Sequence, residues 1–274
     1  MFTTILGSRI EYQSLDPRQH VPGRPVIVFL HEGLGSLAMW KTFPQAVADA
    51  TGCQAMVYSR WGYGQSEPRR APRDVRYMHR EALETLPALL DELRIDHPLL
   101  LGHSDGGSIA LIFAGGSGRP VAGVIAMAPH VLVEPLSVAS IAAARESYLT
   151  TDLKIKLGRY HANPESVFWG WNDIWLNAAF RDWNIEEYLP RITCPVLAIQ
   201  GEDDEYGTME QIRIIGRKAP RARLLELQHC GHSPHRDQPV AVTAAVVACI
   251  DSLSADSPPV SNSFSGPGLP SSKP

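Results

Sequence analysis

Gly102-His103-Ser104-Asp105-Gly106 sets a serine between two glycines. The apolar run Pro98-Leu99-Leu100-Leu101 precedes it, and a helical stretch, Gly107-Ser108-Ile109-Ala110-Leu111-Ile112-Phe113-Ala114, follows. Where a strand turns sharply into a helix at Gly-x-Ser-x-Gly, the serine hydroxyl is lifted above the sheet, because only glycine fits beside so tight a turn. The helix that starts there also aims unpaired backbone N–H groups at any negative charge nearby. A raised hydroxyl beside such donors suits attack on a carbonyl carbon. A buried serine in a Gly-rich loop would carry the same pentapeptide, so the chemistry needs partners.

A serine hydroxyl is a poor nucleophile at its free pKa. It needs a base to take its proton, usually a histidine held in one tautomer by a carboxylate. Both types occur after later apolar runs. Pro195-Val196-Leu197-Ala198-Ile199-Gln200 leads into Gly201-Glu202-Asp203-Asp204-Glu205. Arg223-Leu224-Leu225-Glu226-Leu227 leads into Gln228-His229-Cys230-Gly231-His232-Ser233-Pro234-His235.

The elements that must position these groups alternate along the chain. Strands are predicted at Pro25–Leu30, Gln54–Tyr58, Leu99–Leu101, Val121–Met127, Val196–Gln200 and Arg223–Leu227. Short continuous apolar runs separated by helices indicate strands buried on both faces of a mostly parallel sheet. Helices are predicted at Phe43–Ala50, His79–Leu93, Met209–Lys218 and Val240–Leu253. The second of these puts Leu83, Leu86, Leu90 and Leu93 at helical spacing. Residues 136–190 carry helical stretches and no clear strand, and are expected to lie over the carboxyl ends of the strands, where open α/β sheets bind ligands. This excursion is rich in rings (Phe168, Trp169, Trp171, Trp175, Phe180, Trp183 and Tyr188). Most are expected to pack the excursion's own core, with one or two facing an apolar or aromatic pocket. Residues 254–274, rich in Ser, Pro and Gly, read as a disordered tail.

The order serine, acid, histidine resembles that of the α/β-hydrolase superfamily, and the resemblance extends over roughly Val26 to Leu253. It implies a single domain over 1–253, a mostly parallel twisted sheet flanked by helices, with a helical cap inserted at about 136–190. Matched to the family's motifs, Ser104 is the nucleophile and His232, in Gly231-His232, the general base. Asp204, closing the Gly-x-x-Asp of Gly201 to Asp204, is the orienting acid; a shift of one residue would put Asp203 there. His229 and His235 lack the preceding glycine and are expected at the surface or behind the site. The family's oxyanion loop reads here His31-Glu32-Gly33-Leu34-Gly35-Ser36, with Glu32 where glycine is common. It implies that the N–H groups of Gly33 and Asp105 hold the oxyanion. Ser59-Arg60-Trp61-Gly62-Tyr63-Gly64-Gln65-Ser66 resembles the turn that buttresses that loop, departing from it at Ser59 and Trp61.

The elbow Ser104-Asp105-Gly106-Gly107 is similar to that of valacyclovir-hydrolase-like members, where the acid after the nucleophile pairs with an amino group of the substrate. The other reading of Asp105 is an internal salt bridge at the helix start. His130 and Glu134 are expected in an ordinary loop near the pocket mouth. The resemblance implies hydrolysis of a small carboxylic ester or related acyl substrate, apolar or aromatic in character, without metal or organic cofactor. Rivals on the same fold are a carbon–carbon bond hydrolase of aromatic-degradation products, a cofactor-independent dioxygenase and a non-catalytic ligand-binding protein.

Bulk properties agree. The 274 residues are 44% hydrophobic and carry a formal net charge of -4. Without a basic run, that charge argues against nucleic acid or an anionic membrane as partner. The N-terminus lacks a basic segment followed by a long apolar stretch, so neither a signal peptide nor a membrane span is expected, and cytoplasmic residence is. Cys53, Cys194, Cys230 and Cys249 form no C-x-x-C pair and read as free thiols.

Overall fold

A computed structural model describes residues 1–69 and 71–255. The strands are β1 (Phe2–Ile5), β2 (Ser8–Leu15), β3 (Ile27–Leu30), β4 (Ala55–Tyr58), β5 (Leu99–His103), β6 (Gly123–Met127), β7 (Val196–Gly201) and β8 (Ala222–Leu227). They form one sheet in the order β1-β2-β4-β3-β5-β6-β7-β8. Only the β1–β2 and β2–β4 pairings are antiparallel; β4, β3 and β5 to β8 run parallel. The six strands expected from the apolar runs are the parallel core, with ends shifted by one or two residues. The β1–β2 hairpin was not expected. Its turn, Leu6-Gly7, has both residues at positive φ (49° and 74°), the backbone of a two-residue hairpin usually signalled by Asn-Gly.

Both faces of β3 to β7 are covered, so neighbouring residues join opposite cores, whereas β8, expected to be buried on both faces, is an edge strand with only Leu227 buried. Val28, Leu30, Leu100, Val124 and Ala198 belong to one cluster. Ile27, Phe29, Leu99, Leu101, Ile125 and Ile199 belong to the other. Burying such a side chain contributes about 1.5–3 kcal/mol, which is why these runs are apolar at every position.

The helices are α1 (Phe43–Thr51), α2 (Tyr77–Arg80), α3 (Leu86–Glu92), α4 (Asp105–Gly116), α5 (Pro135–Thr150), α6 (Leu153–Leu157), α7 (Pro164–Leu176), α8 (Glu210–Lys218), α9 (Pro234–Asp237) and α10 (Pro239–Ala255). α1 and α10 supply Phe43, Val47, Val242, Val246 and Ile250 to the second cluster. α3, α4 and α8 pack on the opposite face. α2 and α3 are joined through a wide π turn, Glu81–Thr85. It precedes Pro87, whose nitrogen has no proton to donate to the turn before it. α10 ends two residues beyond the expected Leu253, and the rest of the Ser/Pro/Gly-rich segment lies outside the described residues.

Between β6 and β7 the chain leaves the sheet as α5, α6, α7 and two short 3₁₀ turns. The neck of this excursion is held by the bridge between Leu132 and Asn184 and by the Ile185 N–H on the Val131 carbonyl (2.8 Å). Its rings pack mainly on one another. Tyr148 and Phe168 stack at 3.8 Å, Trp175 meets Phe180 at 5.1 Å, and Phe180 stacks on Trp183 at 5.3 Å.

Candidate active site

Ser104 joins β5 to α4 with φ 53° and ψ −120°, a backbone conformation unusual for a residue with a side chain. Close packing enforces it. A Cβ at Gly102 would lie 2.2 Å from the Gly106 carbonyl oxygen, and one at Gly106 would lie 2.0 Å from that of Leu30. The two glycines let α4 start directly against β3 and β5, and the serine between them is left standing above the sheet.

β7 and β8 deliver the other two groups. The Ser104 Oγ is 2.9 Å from His232 Nε2, and His232 Nδ1 is 2.8 and 3.0 Å from the two Asp204 oxygens. Asp204 Oδ1 also accepts the N–H groups of Tyr206 (2.8 Å) and Gly207 (3.2 Å). Oδ2 accepts from Gln200 Nε2 (3.0 Å). Burial alone would raise the Asp204 carboxyl, but the hydrogen bond and charge of His232 and the Tyr206 N–H outweigh it and hold it below its ordinary value. Asp203, the alternative acid, is exposed and contributes only its N–H, to the Cys230 carbonyl (3.0 Å). His229 is exposed. His235 is buried between Trp40, Phe43 and His103, and burial followed by the charge of His103 pushes its pKa down to about 2.

Gly33 follows β3 and Asp105 opens α4. Among the described residues, neither backbone N–H donates to a protein acceptor. The peptide carrying the Gly33 N–H is fixed from behind. Its carbonyl, that of Glu32, accepts from Arg60 Nη2 (2.8 Å) and from His31 Nδ1 (2.8 Å). His31 Nε2 in turn accepts the Arg60 N–H (3.0 Å), which places the imidazole proton on Nδ1. Burial, then the Arg60 charge, holds the His31 pKa well below its usual value. Because a trans peptide points its C=O and N–H in opposite directions, anchoring the Glu32 carbonyl inward aims the Gly33 N–H outward.

Glu32 itself, the departure from the oxyanion-loop pattern, turns its carboxylate toward the elbow. Oε2 lies 3.6 Å from His103 Nδ1, and His103 Nε2 donates to the His232 carbonyl (2.6 Å). Burial would raise the Glu32 carboxyl, but His103 and His31 pull it far below the carboxylate range. The segments after β3, β5 and β8 are thereby tied together.

The Asp105 carboxylate points inward. It is 1% exposed, accepts from the Tyr77 hydroxyl (2.8 Å) and lies 3.5 Å from Arg60 Nη2. Of the two readings of its side chain, the internal salt bridge is the one built here. His130 is also buried, its ring 5.8 Å from that of His232 and its Nε2 donating to the Tyr206 carbonyl (3.1 Å). Burial, then the neighbouring His232, lowers its pKa. Glu134 is spent on Thr208 and Gln211. Among the described residues, no group of three or more His, Cys, Asp or Glu is placed to hold a metal ion.

Three contributors have no sequence motif of their own. Gln200 ends an otherwise apolar strand, and a polar residue at that point is the one available signal. Tyr77 donates to Asp105 and accepts from Trp175 Nε1 (3.1 Å). His161, in the excursion, accepts the Gly64 N–H (3.0 Å) and donates to the Leu34 carbonyl (2.9 Å). Trp171 closes over the loop after β3: a Cβ at Gly33 would fall 2.2 Å from its Nε1.

A sheet of this order with a serine, histidine and carboxylate at its strand ends defines an α/β hydrolase. The chain belongs to the alpha/beta hydrolase family, whose model matches residues 27–246. It is similar to the proline iminopeptidase of Heyndrickxia coagulans, at 23% identity over 92% of this chain and 98% of that protein. It also resembles the monoglyceride lipase of Homo sapiens, at 29% identity over 52% of this chain and 53% of that one. Among solved structures, proline iminopeptidase of Mycobacterium smegmatis superposes with a TM-score of 0.74 at 19% identity, covering 93% of this chain and 99% of its own. The enol-lactonase of Burkholderia xenovorans LB400 does so at 0.71 and 19%, covering 92% and 100%. At such identity the likeness is one of fold. No helix among the described residues is long and apolar enough to cross a membrane.

Proposed function

We propose that this hydrolase uses Ser104 as nucleophile to cleave a small carboxylic ester or related acyl substrate through an acyl-enzyme. The observation that carries the reading is the unbroken path from Ser104 Oγ through His232 to Asp204, with 2.9 and 2.8 Å links. Ser104 Oγ attacks the carbonyl carbon while its proton passes to His232 Nε2. Asp204 keeps the proton of His232 on Nδ1 and stabilises the imidazolium that forms. The carbonyl electron pair moves onto oxygen, where the Gly33 and Asp105 N–H groups receive it; one such donor is worth about 3–4 kcal/mol in the transition state. Collapse of the tetrahedral intermediate expels the leaving group, protonated by His232. Water, deprotonated by His232, then cleaves the acyl-enzyme and restores the serine. The nearby rings of Trp171 and Tyr206, the latter 4.8 Å from His232, favour an apolar or aromatic acyl group, with a small molecule and no nucleic acid or membrane as partner.

A fluorophosphonate probe tests the nucleophile without a known substrate. The wild-type chain is expected to be labelled, and Ser104→Ala and His232→Ala to lose labelling while melting as cooperatively as wild type. A folded wild type that takes no label, or equal labelling of Ser104→Ala, would overturn the reading.

A further inference from the structure

Beside the oxyanion loop, the seam between the core and the inserted helices opens into a cleft of about 440 Å³ lined by Gly62, Arg69, Arg73, Trp169, Gly170 and Asp173, among others. Two arginines, Arg69 and Arg73, line it. Arg73 lies over the rings of Tyr63 (4.8 Å) and Tyr77 (5.8 Å) and is pressed against Gly170, where a Cβ would sit 2.1 Å from its Nη1. Arg69 has its Nε buried with no hydrogen-bond partner. Among the described residues, neither arginine has a carboxylate within ion-pair distance. Other arginines of the chain do: Arg24 meets Asp251, Arg60 meets Asp105, Arg119 meets Asp91 and Arg213 meets Glu226.

The two arginine charges act on each other. Burial, then the charge of Arg73, pushes the Arg69 pKa down, as expected for two like charges sharing a partly dry site. Buried Glu81 offsets the charge on Arg69 only in part. Desolvation raises its carboxyl in spite of Arg60, Arg69 and Arg73, and the Tyr58 hydroxyl lies 3.4 Å away. A buried guanidinium nitrogen without a partner is costly unless something occupies it part of the time. Planar arginine forks match carboxylate and phosphate oxygens in pairs.

The cleft is linked to the loop after β3 through α7. Gly170 meets Arg73, and the next residue on α7, Trp171, covers Gly33 of the oxyanion loop. We propose that the Arg69–Arg73 cleft binds an anionic group, a carboxylate or phosphate, carried by the substrate at the end remote from its scissile bond. This rests on the reading of Ser104 as the nucleophile and adds a charge requirement to the substrate class. The exposed Asp173 at the rim limits how much total negative charge the cleft accepts.

Two chain-matched esters read the site: p-nitrophenyl hexanoate and the mono-p-nitrophenyl ester of adipic acid. The ratio of kcat/KM, anionic over neutral, is expected to fall roughly tenfold in Arg69→Gln and in Arg73→Gln, the scale of one lost charged hydrogen bond. It should be partly restored in Arg73→Lys and should rise in Asp173→Asn. A ratio equal in wild type and both Gln variants would overturn the proposal. If neither ester is turned over, the fluorophosphonate probe decides the nucleophile reading, and binding decides the cleft. In Ser104→Ala, Trp fluorescence is titrated with adipate, inorganic phosphate and the neutral hexanamide. Saturable adipate binding that weakens in Arg73→Gln supports the site, and adipate binding no tighter than hexanamide overturns it. Phosphate that saturates the cleft without raising KM for the adipate ester would mean a free anion is the ligand, and would overturn the substrate-borne assignment.

Discussion

The hydrogen bonds around Asp204 fix what this carboxylate can do. It accepts from His232, Tyr206, Gly207 and Gln200, so an uncharged amide of the same size cannot satisfy all of them or keep the imidazole proton on Nδ1. Asp204→Asn is expected to lower kcat about 10³–10⁴-fold, measured on whichever ester the wild type turns over. Its effect on stability carries a sign. The folded-state pKa of Asp204 lies below its unfolded value, near 3.9. Its charged form therefore stabilises the fold at pH values above that, and the contribution is lost as pH falls through the folded pKa. Thermal melts of wild type and Asp204→Asn should differ most near neutrality and converge below about pH 4. A gap that widens on acidification would contradict this account. Arg60 acts by position: buried, with a pKa raised further by Tyr63 and Asp105 although burial opposes it, it anchors the Glu32 carbonyl and so aims the Gly33 N–H.

Between elements, the inserted helices are keyed to the core by polar contacts as well as rings. The Tyr77 hydroxyl of α2 donates to Asp105 at the start of α4 and accepts from Trp175 of α7. All three side chains are buried. Tyr77→Phe removes one oxygen, strands the Trp175 indole N–H at about 1–3 kcal/mol, and leaves Asp105 Oδ2 only its 3.5 Å contact with Arg60. The expected result is a lower melting temperature, together with faster proteolysis within residues 135–191 than elsewhere. Unchanged melting and cleavage would show that the rings alone hold α7 in place. His161 makes a second such link, reaching Gly64 and Leu34 from the other side of the excursion.

Across the whole molecule, both faces of the central strands β3 to β7 are sealed, and the thiols share that enclosure. Cys53, Cys194, Cys230 and Cys249 are free and buried. Burial raises all four, Cys194 and Cys230 to about 11, so little thiolate exists at neutral pH. A disulfide-exchange reagent such as DTNB should leave the native protein essentially unreacted over minutes and titrate all four thiols once guanidinium unfolds it. Rapid reaction of a native thiol would place an opening of the fold at that residue.

The amino-acid sequence by itself determined the parallel strands, the elbow at Ser104, and the residues that meet it, because each of these is written in local periodicity or in a short spacing. Short continuous apolar runs between helical stretches signal strands buried on both faces of a sheet, and glycine at 102 and 106 permits the tight approach. The β1–β2 hairpin escaped because Leu6-Gly7 lacks the usual turn chemistry and β2 alternates apolar with polar residues over a short span. The choice of Asp204 over Asp203 was legible from one spacing. The inward turn of Asp105, the Glu32–His103 contact, the partners of Tyr77 and the unpaired Arg69 and Arg73 were not. These join residues tens of positions apart through the packing of side chains, and no periodicity encodes which charge finds a partner. Only the tertiary structure decided that, because burial and distance, rather than residue type, set whether a charge is neutralised, held in reserve or left facing a cleft.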